Sequence, residues 1–409
     1  MGKNLLVAQS GGPTAAINAT LAGILEQALR EEAIETIYGA RYGIQGALAS
    51  NFVELSARKN LKEELDDLAK TPAAALGSCR YKMKDPNVDP SEFEALVRIC
   101  QSHNIGYFIY IGGNDSMDTV WKFSEYIKEN HIPDLVVVGA PKTIDNDLFG
   151  IDHCPGFGSA AKYIATSIAE LERELVVYDT PYVIVVEMMG RNAGWLTAAA
   201  SLVEGVNSST PYLIYLEEHP FDLDVFLNDL RKTMAHGSSV IVAISEGIRD
   251  ASGKMICDYG NRDQQKDAFG HTIATGAGKV LEEAIRSKIG CKVRSIELNL
   301  LQRCAGHILS ATDIRESRIL GQNSVRMAVQ GQNGYMSSLR RLATPEYQIE
   351  YMASPISEIA NREKKVPAEW IRPEGNGVTD DMKRYLLPLV QGEEHCRFVN
   401  GVPHYVVLL

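Results

Sequence analysis

Tyr107-Phe108-Ile109-Tyr110-Ile111-Gly112-Gly113-Asn114-Asp115-Ser116 is an apolar run of strand character that empties into paired glycines and a helix-start signal. A chain builds a phosphate cradle this way. Glycine lets backbone N–H groups come close to a phosphate, and the N-terminus of the following helix adds partial positive charge. Asp115 conflicts with that use. A carboxylate in such a cradle repels phosphate unless a cation or a neighbouring lysine offsets it, and sequences break local rules mostly at working sites.

The same strand, loop, helix pattern extends in both directions. Residues 5–8 read as a short buried strand running into Ser10-Gly11-Gly12-Pro13-Thr14 and an Ala-rich helix over about 15–30, where Pro13 suits the first turn. Further strands are expected at 34–38, 106–111, 135–140, 182–187, 212–216, 240–244 and 292–298. Helices are expected at 91–103, 115–129, 159–175, 192–202, 272–288 and 314–330. Val/Ile-rich strands alternating with helices predict an α/β fold of mainly parallel sheets covered on both faces. Ligands of such sheets bind at the carboxyl ends of the strands. Five polar clusters follow strands here: Ser10 to Gly12, Gly112 to Ser116, Lys142 to Asp147, Met189 to Arg191 and Ser245-Glu246.

The 409 residues suffice for two domains with their own cores. A net charge of -11, from 41 basic and 52 acidic residues, argues against a nucleic-acid partner while leaving room for a local basic pocket. Only four apolar residues, Leu5 to Ala8, precede Gln9, and no apolar run approaches the ~20 residues that span a bilayer, so neither a signal peptide nor a membrane partner is expected. Cys79, Cys100, Cys154, Cys257, Cys291, Cys304 and Cys396 are odd in number, scattered and without a CxxC, which suits reduced thiols in a cytoplasmic protein and not structural zinc. The Gly11-Gly12 loop is neither a GxGxxG fingerprint nor a Walker A loop.

In Pro141-Lys142-Thr143-Ile144-Asp145-Asn146-Asp147 two carboxylates stand two residues apart, and in an extended loop they point the same way. One can act as general base toward a hydroxyl while the other holds a metal or orients its partner. Lys142 supplies positive charge and Thr143 a hydroxyl. The same letters also suit an Asx turn that merely satisfies backbone donors, and the glycine cradle beside them favours the chemical reading. Arg191, in Met189-Gly190-Arg191, can bind phosphoryl oxygens or pair with a carboxylate at a helix start. Glu246 suits sugar hydroxyls or solvent. Arg294 and Arg303 suit phosphate or an ion pair, and Arg80 a donor phosphate or solvent. His103, His131 and His236 read as structural, and Trp121, Trp195 and Trp370 as core or interface residues.

Ser10-Gly11-Gly12, Tyr42-Gly43-Ile44, Gly112 to Ser116, Pro141 to Asp147, Met189-Gly190-Arg191, Ser245-Glu246-Gly247 and Leu301-Gln302-Arg303 together resemble the phosphofructokinase family, in family order over about residues 5–330. The resemblance implies two Rossmann-like domains with the active site in the cleft between them. Residues 1–155 plus about 304–375 would form the phosphate-donor domain, and 156–303 plus about 376–409 the sugar-phosphate domain. It implies phosphoryl transfer to the 1-hydroxyl of fructose 6-phosphate, a glycolytic step, with Mg2+. Asp145 would be the general base and Asp147 its support or a metal support, Thr143 would contact the transferred group, and Arg191 would stabilise transition-state charge. Met189, Gly190, Glu246, Arg294 and Arg303 would bind the sugar phosphate. Gly11, Gly12, Gly113 and Arg80 would face the donor, and Asn114 the metal. The counterpart of Arg294 serves a neighbouring subunit's site, which implies a homodimer or homotetramer.

Family members that use ATP carry Gly at the positions of Asp115 and Lys142. A carboxylate at 115 occupies the space of a nucleotide α-phosphate, and each close like-charge contact costs on the order of a few kcal/mol at an effective dielectric of about 20. The pair therefore resembles the branch of the family that uses pyrophosphate. ATP as donor, sedoheptulose 7-phosphate as acceptor, and a non-catalytic regulatory subunit are the alternatives. The chain departs from the family pattern at Asn114 (commonly Asp), Leu300 (commonly His or Tyr) and Tyr182 (an Arg in many members). Beyond about residue 334 the resemblance fades, and Arg362, Lys364 and Lys365 suit closure over the substrate or, the favoured reading, a solvated charge run.

Overall fold

Leu5, Leu6, Val7 and Ala8 have no solvent exposure, yet they alternate between two cores. Leu6 and Ala8 join Phe108, Tyr110 and Val137 on one face. Leu5 and Val7 join Ile109, Ile111 and Ala140 on the other. A strand apolar at every position is thus buried on both sides, as a parallel sheet requires.

The structure is a computed structural model that describes residues 2–235, 237–260 and 276–409. His236 and the expected helix start at 272–275 lie outside the described residues. The strands are β1 (Lys3–Gln9), β2 (Ile34–Ala40), β3 (Phe52–Glu54), β4 (Ile105–Gly112), β5 (Val136–Pro141), β6 (Tyr182–Met188), β7 (Tyr212–Tyr215), β8 (Val240–Ser245), β9 (Lys292–Glu297), β10 (Leu309–Ser310), β11 (Tyr335–Arg341) and β12 (Ile349–Pro355). One sheet of seven strands has the order β12-β11-β5-β4-β1-β2-β3, and another of four has the order β7-β8-β6-β9. The larger sheet is parallel at its centre and antiparallel only in the outer pairs β2–β3 and β11–β12. The smaller is parallel throughout. It too is covered on both faces, with Ile184 and Val186 in one core and Val183 and Val185 in the other.

The helix Ile17–Ala28 crosses the helix Ala311–Val329 so closely that both contact points are glycine. A Cβ on Gly23 would lie 1.9 Å from the Arg318 carbonyl oxygen, and one on Gly321 would lie 2.1 Å from that of Thr20. The later segment thereby returns to the first sheet. Val366 and Ile371 pack instead in the core of the smaller sheet, and Val406 and Leu408 in that of the larger, so the tail crosses between the cores more often than a two-segment division implies.

The sequence pattern did not anticipate β3, the β11–β12 pair, or the helices Gly43–Leu48, Leu61–Ala69 and Leu223–Met234. The helix expected over 192–202 shrinks to Trp195–Ala198 and a tight turn Ala199–Leu202, because residues 190–194 form an irregular loop. No described helix is long and apolar enough to cross a membrane, and all seven cysteines are free thiols.

Candidate active site

Register sets the site. Gln9 of β1 pairs with Ile111 of β4, and Gly112 of β4 with Pro141 of β5, so three polar loops leave the larger sheet side by side. From the smaller sheet, β6 ends at Met188, and the loop after it delivers Arg191 into the same space. One cavity is lined by Gly11, Gly12, Arg80, Gly113, Asn114, Asp115, Lys142, Thr143, Asp145, Asp147 and Arg191. Asn192, Ala193 and Glu363, which sequence reasoning did not single out, line it too.

The cradle is as narrow as its glycines suggest. A Cβ on Gly112 would meet Ser116 Oγ at 2.0 Å and Ser10 Oγ at 2.4 Å, and those hydroxyls lie 2.5 Å apart. Gly11 has φ +74°, which glycine alone adopts cheaply. Asp115 stands exposed to the cavity in the first turn of the helix Asn114–Glu129.

Lys142 is buried, and its ammonium donates to the Gly12 carbonyl at 2.7 Å. Burial pulls its pKa down to about 8; Arg303 and Arg80 act the same way, and Asp145 and Asp147 oppose them. Burial raises the pKa of Asp145, against the pull of Lys142, Arg303 and Arg191. Asp147 is pushed up to about 7 by burial and then by Asp145. Thr143 Oγ1 accepts the Asp145 backbone N–H at 3.1 Å, and its hydroxyl also supports Asp147. Two adjacent carboxylates with raised proton affinity, ringed by cations, are suited to taking a proton near neutral pH.

Asn114 Nδ2 donates to Asp147 Oδ2 at 3.1 Å, while its Oδ1 is buried without a hydrogen-bond partner. A spare amide oxygen beside a carboxylate suits a hard divalent cation. Among the described residues no group of three or more His, Cys, Asp and Glu side chains is arranged as a ready-made metal site.

Met189 and Glu246 line a second, smaller cavity with Glu187, Met188, Glu297 and Asn299. Burial, then Asp145 and Glu187, push Glu246 up to about 8. Gly190, at φ +122°, donates to Glu246 at 3.4 Å. Arg303 reaches the donor loop: a Cβ on Gly12 would lie 2.7 Å from its Nη1, and its Nε is buried without a partner. Arg294 is not brought to this group. It stands exposed on β9, the edge strand of the smaller sheet. Tyr182 is buried, and Leu300 is 56% exposed.

The expected solvated run near 362–365 is corrected by the structure at Lys364, while Arg362 and Lys365 are exposed. The Arg362 guanidinium lies 3.5 Å from the centre of the Phe149 ring. Glu363 accepts from Asn192 at 2.8 Å. Lys364 turns inward onto the loop after β5, whereas Arg362 and Lys365, the latter 3.8 Å from Glu217, stay exposed. Three basic residues within four positions carry no periodicity from which the inward turn of Lys364 could have been read.

A family model described as Phosphofructokinase matches residues 4–328. The chain is 38% identical over 410 residues to the pyrophosphate–fructose 6-phosphate 1-phosphotransferase of Methylococcus capsulatus, covering 99% of this chain and 96% of that protein. It is 40% identical to the protein of the same name from Xanthomonas campestris pv. campestris, covering 99% and 96%. The crystal structure of a pyrophosphate-dependent phosphofructokinase from Nitrosospira multiformis superposes with a TM-score of 0.88 at 36% identity, covering 99% of this chain and 96% of that one.

Proposed function

The chain belongs to the phosphofructokinase family, and on that premise we propose that it transfers a phosphoryl group reversibly between pyrophosphate and the 1-hydroxyl of fructose 6-phosphate, giving fructose 1,6-bisphosphate and phosphate. The observation that carries the donor assignment is the placement of Lys142 and Asp115 in one cavity. Lys142 lies over the Gly11-Gly12 loop and offers a cation to a short, highly charged donor. Asp115 presents a carboxylate where a longer donor would continue, which costs a nucleotide α-phosphate more than it costs pyrophosphate.

In the forward direction Asp145 accepts the proton of the sugar 1-hydroxyl as that oxygen bonds to the terminal phosphorus of pyrophosphate. The bridging P–O bond breaks, and the bond's electron pair leaves with phosphate. Thr143 holds the backbone of Asp145 and so its aim. Arg191 and Lys142 take up the charge spread over the transferred oxygens. Phosphoryl transfer needs positioning and charge neutralisation more than covalent help, which this arrangement provides. Asn114 Oδ1 and Asp147 would hold Mg2+, which supplies further neutralisation of phosphate charge. Met189, Gly190, Glu246 and Arg303 would receive the sugar phosphate. Arg294, outward on an edge strand, would serve the site of a neighbouring copy in a homodimer or homotetramer. A cytoplasmic location agrees with seven free thiols.

The test is turnover of the purified protein with Mg2+, fructose 6-phosphate and either pyrophosphate or ATP, followed as fructose 1,6-bisphosphate. Pyrophosphate is expected to support turnover at least tenfold better than ATP. Strong ATP turnover with none from pyrophosphate would overturn the donor assignment. Sedoheptulose 7-phosphate as acceptor in the same assay tests the breadth of the sugar site, where Leu300 offers no polar group.

A further inference from the structure

We propose that Lys364 is a positioning residue for phosphoryl transfer, clamping the loop that carries Asp145 and Asp147 from behind. The proposal rests on the reaction argued above and goes beyond it, because Lys364 lies outside the cavity-lining set and beyond the span of the family model.

The loop after β5 has a difficult conformation to keep. Asn146, between the two carboxylates, is fully buried at φ +56°, a left-handed backbone that costs most non-glycine residues and that asparagine tolerates best. Its amide makes three hydrogen bonds. Nδ2 donates to Tyr385 Oη at 2.8 Å, and Oδ1 accepts from the Cys154 N–H at 2.9 Å and from Lys364 Nζ at 3.2 Å. The same ammonium donates to the carbonyls of Ile151 at 3.2 Å and Asp152 at 2.6 Å. The Lys364 backbone N–H donates to the Asp147 carbonyl at 2.8 Å. One residue thus binds the Asn146 side chain, two carbonyls of the loop's return path and the backbone of one working carboxylate.

Lys364 is itself fixed from the other side. Its carbonyl accepts from Trp195 Nε1 at 3.0 Å, and its ammonium lies 5.3 Å from the centre of that indole ring. Trp195 begins the short helix that follows Gly190 and Arg191. The clamp therefore ties the loop bearing the base to the segment bearing the transition-state arginine. A buried cation with three oxygen acceptors is costly to assemble and is retained where it imposes one geometry. Misplacing a reacting group by about 1 Å can cost on the order of 10²-fold in rate.

Lys364→Met keeps the stem and removes the ammonium, and Lys364→Arg keeps a cation and its donors. We expect Lys364→Met to lower kcat at least tenfold while the KM values for pyrophosphate and fructose 6-phosphate stay within threefold. Lys364→Arg should recover most of the loss. Hydrogen exchange of residues 143–154 should speed up in Lys364→Met and not elsewhere in the larger sheet. Tyr385→Phe removes the second outside partner of Asn146 and should show the same split of kcat from KM, so the proposal is judged even where Lys364→Met folds poorly. A kcat for Lys364→Met within twofold of wild type, a loss confined to KM, or unchanged exchange of the loop overturns the proposal. Wild-type protein inactive with both donors would instead sink the proposed reaction, and the exchange measurement would still decide the clamp.

Discussion

The Lys142 ammonium meets the Gly12 carbonyl oxygen at 2.7 Å, although their strands are not neighbours: β4 lies between β1 and β5. Lys142 reaches across the end of β4 to do so. The cradle is therefore roofed by a lysine, and Asp115 stands at its open side. Replacing both by glycine removes the roof and the negative charge together. Asp115→Gly combined with Lys142→Gly should raise the ratio of ATP-supported to pyrophosphate-supported kcat/KM at least tenfold, mainly by loss of pyrophosphate use. An unchanged ratio in parallel assays of the two donors would defeat the steric and electrostatic account.

Asp145 combines a raised pKa with three surrounding cations, so its carboxylate is poised to accept a proton and its loss removes that acceptor. General-base removal typically costs about 10²–10⁴-fold. Asp145→Ala should lose turnover by that amount while calorimetry finds fructose 6-phosphate affinity within about threefold of wild type. Near-normal turnover would remove Asp145 from the role of base.

Much of this site was legible because strand ends in a parallel sheet converge by topology alone. Once Tyr107 to Ile111 is read as a strand, Gly112 to Ser116 must sit at the same edge as Ser10 to Gly12 and Lys142 to Asp147. Lys364, Glu363 and Tyr385 were not legible, because they reach the loop only through a late segment that crosses between the two cores. Arg294 and Arg303 differ for a related reason. Both looked like phosphate anchors in sequence, but Arg294 stands outward on the edge strand β9 and Arg303, within a short helix, is turned toward Gly12. Where such a side chain ends up depends on what packs against its element, which a single sequence does not encode locally.

The glycine crossing of Ile17–Ala28 with Ala311–Val329 makes a stability prediction remote from the chemistry. At Gly23 a Cβ would sit 1.9 Å from a carbonyl oxygen, so the helices must part. Overpacking of this kind costs typically ~1–3 kcal/mol, and backbone against backbone lies at the upper end. Gly23→Ala should lower Tm by several degrees and leave kcat at 25 °C within twofold. Gly321→Ala should do the same, and the double variant should cost less than the sum, because the first substitution already separates the helices. Unchanged Tm in a thermal melt would show that the crossing relaxes freely.

The last prediction concerns pH. Burial, with Arg303 and Arg80 acting in the same direction, lowers the pKa of Lys142 to about 8. A lysine is cationic below its pKa and neutral above it, so the roof of the cradle loses its charge as pH rises through about 8. Pyrophosphate gains negative charge over the same range and has more need of that cation, so its KM should rise several-fold between pH 7 and 9. Glu246, which titrates at about 8, faces the sugar side and should affect the KM for fructose 6-phosphate. Lys142→Arg separates the two effects, since a guanidinium stays charged throughout. In that variant the alkaline rise in pyrophosphate KM should disappear while the fructose 6-phosphate profile is kept. An alkaline rise that persists in Lys142→Arg would assign it to pyrophosphate's own ionisation and not to Lys142.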